Sequence, residues 1–251
     1  MMSPSRALPA LAALLLASAV AAQPTHVMIR ARSLDAKFIG AHTGGVKVTL
    51  TDSATGRVLS RGLITGGTGD TPRIMKAPLT RGAPLADAET AGFDAVVDID
   101  APTLVRAEAW GPAGKPAAAI RVVSELWVLP GRDVGGDGWI LSFPGLVVEP
   151  TAAPGPDGVL KIGSKVTMMC GCPIEPGGIW DAATFSVRAE LLRRRKPIAQ
   201  SALAYAGQTS QFASTLAGVA PGRYTLRVTA AETGTPNVGV ATLPVTVTRQ
   251  R

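Results

Sequence analysis

Apolar and polar residues alternate with a period of two along most of the chain. Val27-Met28-Ile29-Arg30 opens the pattern, and Val46-Lys47-Val48-Thr49-Leu50-Thr51 places Val46, Val48 and Leu50 on one face. Ala95 to Asp100, Leu104 to Trp110 and Ala119 to Val128 continue it. This period marks strands with one buried face. Turn chemistry separates the runs at Asp52 to Gly56, Thr65 to Thr71, Ala101-Pro102 and Gly111 to Pro116. A second series runs through Val159 to Ile162, Ser164 to Cys170, Phe185 to Arg193, Pro197 to Tyr205, Gln211 to Leu216, Arg223 to Ala230 and Val240 to Thr248. Between the two series, Glu149 to Gly158 (EPTAAPGPDG) has no apolar pattern and is expected to be a linker. The expected architecture is therefore all-β: one β-sandwich over residues 23–148, a linker at 149–158 and a second, immunoglobulin-like sandwich over 159–251.

The first 22 residues interrupt this pattern. One Arg, an apolar tract from Leu8 to Leu16 and a small-residue exit ending at Ala22 describe a secretory signal peptide. The tract is too short to span a bilayer, and no later stretch is apolar enough for a membrane span. Cleavage near Ala22 would put the mature protein in the periplasm or outside the cell.

Composition agrees with short strands and turns. Of 251 residues, 28 are Gly and 20 Pro, and 46% are apolar against 17% charged. That is enough apolar residue for a sizeable core. The net charge is +7, and loss of the signal removes one Arg, leaving +6. A basic protein outside the cytoplasm meets acidic glycans and acidic protein partners, so the charge is not evidence for nucleic-acid binding. The single Asn, Asn237, together with abundant Ala, Gly, Arg and Pro, points to a coding sequence rich in G and C. Part of the Arg excess is then a codon effect.

Two short motifs carry a resemblance. Pro221-Gly222-Arg223-Tyr224-Thr225-Leu226-Arg227-Val228 resembles the turn-and-strand signature of bacterial immunoglobulin-like and fibronectin-like modules. In that fold a Tyr at the start of the penultimate strand bonds back to the chain, and Tyr224 matches its position. Gly45 to Asp52 followed by Gly56-Arg57-Val58 is similar to transthyretin-like or carboxypeptidase-regulatory-type sandwiches. Both resemblances imply fold alone, because such sandwiches host many functions.

One segment is chemically unusual. Met168-Met169-Cys170-Gly171-Cys172-Pro173 holds both Cys of the chain, two residues apart and preceded by two thioethers. Val166, Met168 and Cys170 share one strand face, Gly171 bends the chain and Pro173 stops further pairing. Three readings fit. Cys170, Cys172, Met168 and Met169 could ligate a soft metal, since thiolate and thioether together favour Cu(I). The pair could be a labile disulfide or exchange thiols with a partner. Or Cys and Met could simply fill core space. Trp180 follows this segment, where it could shield the thiols.

Other candidates are weaker. Arg193-Arg194-Arg195-Lys196 falls at an expected hairpin turn, and Arg194, Arg195 and Lys196 would form an anion- or partner-binding knob. His26 is expected to be an exposed strand residue and His42 a turn residue. Contact between either His and the distant Cys pair has no support in the sequence. Gly131 to Trp139 reads as a hairpin turn in which Asp133 and Asp137 could hold a cation. Asp98 and Asp100 read as solvent-facing charges. The Gly-rich stretch Thr65 to Thr71 lacks the ending of a phosphate-binding loop, and no G-x-S-x-G or H-E-x-x-H motif is present. The expectation is a non-enzymatic binding or accessory protein with a thiol–thioether site for copper and a periplasmic or surface protein partner. The alternative is a structural scaffold that uses the Cys pair as a redox-sensitive tether.

Overall fold

A computed structural model describes residues 24–248. The expected signal peptide lies outside them. The described chain is all-β and holds fourteen strands in three hydrogen-bonded sheets.

The first seven strands are β1 (Thr25–Ser33), β2 (Val46–Asp52), β3 (Val58–Ile64), β4 (Phe93–Val97), β5 (Thr103–Gly111), β6 (Ile120–Val128) and β7 (Val134–Phe143). They form two layers, β4-β1-β7 and β3-β2-β5-β6. Alternation decides which side chains face inward. On β2, Val46, Val48 and Leu50 are buried, and they join Ile29, Phe38, Phe143 and Leu141 in one core. Strand β7 pairs in parallel with β1, Ile29 opposite Trp139. The stretch Gly131 to Trp139, expected as a hairpin turn, is thus strand from Val134 onward. Its carboxylates are engaged by the protein: Asp133 accepts from the His26 backbone N–H, and Asp137 accepts from those of Leu85 and Ala86.

The remaining strands are β8 (Leu146–Pro154), β9 (Leu160–Met168), β10 (Phe185–Arg193), β11 (Lys196–Tyr205), β12 (Gln211–Leu216), β13 (Gly222–Glu232) and β14 (Val238–Val247). Their order is β14-β13-β10-β11-β12-β9-β8. Two residue pairs alone, Ala204 with Ala213 and Tyr205 with Phe212, join β11 to β12. The sheet folds there, so β8-β9-β12 faces β14-β13-β10-β11 across a core containing Leu160, Ile162, Val166, Leu191 and Leu226. At the corner before β13 the Tyr224 hydroxyl donates to the Ala220 carbonyl at 2.7 Å.

The expected linker is corrected. Residues 149–154 continue β8, which pairs with β9 from Leu146–Met168 to Pro154–Leu160, and a turn at 155–158 closes the hairpin. Strand β8 hydrogen-bonds to no other strand in its sheet, and an edge tolerates Pro because its outer side needs no N–H donor. Pro150 and Pro154 therefore sit in a strand although their composition reads as a linker. The chain crosses between the two cores earlier, at Phe143-Pro144-Gly145-Leu146.

The sandwiches meet tightly at that crossing. Leu146 and Val148 enter the second core while Val147, between them, enters the first. Asn237 is fully buried there: its Oδ1 accepts from the Gly145 N–H, and its Nδ2 donates to the Leu34 carbonyl and to Glu232. The Trp180 indole N–H donates to the Asp35 carbonyl at 3.1 Å. No helix among the described residues is long and apolar enough to cross a membrane.

Candidate functional site: a cleft between the sandwiches

Strand β9 ends at Met168, where the chain turns through Met169, Cys170 and Gly171 and returns with Pro173 bridged to Thr167. Gly171 adopts φ +79°, a conformation that favours glycine. The turn brings Cys170 and Cys172 to a Cα separation of 5.4 Å, and they are joined as a disulfide. Both are nearly fully buried, at 1% and 5% exposure.

The disulfide borders a cleft of about 620 Å³ at the junction. One wall comes from the second sandwich, with Cys170, Cys172, Glu175 and Trp180. The other comes from the first, with Lys37, His42, Gly66, Gly67, Thr68 and Thr71. The His42 ring reaches across to the turn. A Cβ placed on Gly171 would lie 2.7 Å from His42 Cδ2 and 3.2 Å from its Nε2. The Lys37 ammonium donates to Thr71 Oγ1 at 2.9 Å, and burial holds its pKa below the ordinary lysine value. Glu175 accepts from the Thr209 hydroxyl. The cleft thus pairs an apolar floor of disulfide and indole with a rim carrying both charge signs.

The two thioethers are not gathered with the thiols. Met168 lies in the second core and Met169 in the first, both fully buried. Withdrawing either from its core would cost about 2 kcal/mol. With the sulfurs bonded to each other and the methionines facing opposite ways, Cys170, Cys172, Met168 and Met169 do not fit one copper ligand set. No group of three or more His, Cys, Asp or Glu suited to a metal occurs among the described residues. Trp180 does stand beside the pair in the cleft, 6% exposed.

Arg194, Arg195 and Lys196 are exposed at the tip of the β10–β11 hairpin, at the opposite end of the second sandwich from the cleft. His26 is half-exposed on β1, and its Nδ1 meets Asp94 Oδ2 at 2.9 Å. That carboxylate, through the hydrogen bond first and its charge second, raises the imidazole pKa above its ordinary value. Asp98 and Asp100 are exposed, as expected. The sequence reading missed the contributions of Lys37, His42, Thr71 and Glu175 to one cleft. It also missed Asn237 as a junction residue, because its partners Leu34 and Gly145 lie far away in sequence.

No protein-family model and no curated protein matches the chain. Among solved structures, the exo-chitosanase CsxA of Amycolatopsis orientalis is similar at 11% identity and a TM-score of 0.23, over 89% of this chain and 24% of that one. The β-glucuronidase 3 of Bacteroides uniformis is similar at 11% identity and a TM-score of 0.21, over 89% of this chain and 25% of that one. This chain spans about a quarter of the length of either enzyme.

Proposed function

We propose an exported, non-enzymatic binding or accessory protein whose working site is the cleft between the sandwiches, with Cys170–Cys172 as a redox-sensitive element in its floor. The strand order of the second sandwich and the Tyr224 corner support taking it as an immunoglobulin-like module, a fold whose end loops commonly carry binding. The observation that carries the reading is the position of the disulfide. It encloses a single residue, Gly171, and that residue packs against His42 of the other sandwich. A ring this small contributes little to holding the fold, so its chemistry, more than its cross-link, is what the cleft can use. Reduction by a dithiol leaves two thiols on a turn that is packed across the junction. The pairing state and the shape of the cleft are thereby linked, as a redox-sensitive tether requires.

The test is a redox titration of the folded, exported protein against dithiol buffers, read by intact mass and by Trp emission. Reversible reduction without unfolding is expected, at a potential above the roughly −300 mV typical of structural disulfides. A pair that resists reduction until the protein unfolds would sink the reading. Adding Cu(I) to the reduced protein separates the copper alternative. A stoichiometric adduct abolished by Cys170→Ser with Cys172→Ser would move the function to metal binding.

A further inference from the structure

The tip of the β10–β11 hairpin runs against the backbone preference of its own residues. Arg193 pairs with Lys196, so the loop is two residues long, and Arg194 and Arg195 occupy it at φ 48° and 67°. Two-residue loops with positive φ at both positions favour Asn-Gly, because a Cβ is strained there. Here both positions carry Arg. Arg193 through Lys196 are all exposed, and among the described residues none of them makes an ion pair.

The surrounding surface strengthens the charge. Lys161, at the start of β9, and Arg223, near the start of β13, are exposed at the same end, where the 155–158 turn receives the Val219 N–H. Asp157 is the carboxylate among them. Immediately after the basic run stand Pro197 and Ile198, with Ile198 53% exposed. Strained, unneutralised arginines beside a protruding branched apolar side chain form a surface that is both cationic and partly apolar. A carboxylated polysaccharide would use the charge alone, whereas a phospholipid surface uses both.

We propose that this end of the second sandwich docks on a membrane surface rich in anionic phospholipid. The Arg194 and Arg195 guanidinium forks hold phosphate oxygens, and Ile198 enters the headgroup region. Strand β10 separates this tip from the Thr184 end near the junction by nine residues, or about 30 Å. Docking there leaves the cleft facing away from the membrane. The proposal goes beyond the cleft reading and stands without it.

The experiment is co-sedimentation of the exported protein with phosphatidylcholine vesicles, with and without phosphatidylglycerol. Binding to the anionic vesicles is expected, weakening as salt is raised. Arg194→Asn with Arg195→Gly should weaken it about 30-fold, while Tm rises because the turn gains its favoured residues. Ile198→Ser should weaken it at unchanged charge. Equal binding to pure phosphatidylcholine would overturn the proposal, as would an Asn-Gly variant that binds like the parent. Binding to soluble polygalacturonate but not to vesicles would overturn the lipid assignment.

Discussion

The imidazole of His42, carried by the first sandwich, lies directly over Gly171, the residue enclosed by the Cys170–Cys172 disulfide of the second. Two segments more than a hundred residues apart thereby share one surface in the cleft. Gly171 is required there twice over, by its positive φ and by the lack of space for a Cβ beside His42 and Thr43. Gly171→Ala is therefore expected to cost about 2–4 kcal/mol in urea unfolding. Adding His42→Ala should recover part of that loss, the steric part, and leave the backbone part. A double-mutant cycle with no coupling would show that the two residues do not touch in solution.

The disulfide itself should matter little to stability. With one residue between the Cys, loop-closure entropy gives about 1.6 kcal/mol on the chain-entropy view. Cys170→Ala with Cys172→Ala should therefore leave a cooperatively folded protein, destabilised by about 2–3 kcal/mol once lost core volume is included. Failure to fold would make the bridge structural.

Asn237 is expected to be far more sensitive than an ordinary surface Asn. Asn237→Ala leaves the Gly145 N–H and the Leu34 carbonyl without partners in a buried junction. A loss of about 2–4 kcal/mol follows. Because both groups lie between the two cores, the calorimetric transition of the variant should be broader than the parent's, or split. A fall below 0.5 kcal/mol would mean that the junction is wet.

His26 supplies a pH-dependent prediction. Asp94 favours its charged form, so the folded pKa stands above 6.5. The contribution of this pair is fully present below about pH 6.5 and is lost as pH rises through the raised folded value. The chain has two His, so the His26 ring signals can be assigned and followed by proton NMR. Asp94→Asn should return the His26 midpoint to the ordinary imidazole range, and no change would mean that the pair does not form in solution.

Period-two alternation was enough to read the all-β class and the burial of Val46, Val48 and Leu50, since a strand with one wet face must place apolar residues on the other. A hairpin turn near Arg193 to Lys196 and the Tyr224 corner were legible for the same reason: each is a local rule over a few residues. That the loop shrinks to Arg194 and Arg195, both at positive φ, was not, because their side chains disfavour that backbone. Pro150 and Pro154 misled because composition cannot distinguish an edge strand from a linker; only the neighbour supplied by β9 and the absence of one on the other side decide it. Met168 and Met169 next to Cys170 suggested a ligand set, but adjacent residues on an extended chain point in opposite directions. Here the opposite directions are two different cores. The cleft was invisible for a deeper reason. His42 meets Gly171, Trp180 meets Asp35 and Asn237 meets Leu34 only because two sandwiches pack end to end. No local pattern encodes contacts across such separations, and the packing of the two cores at Leu146 to Val148 sets them.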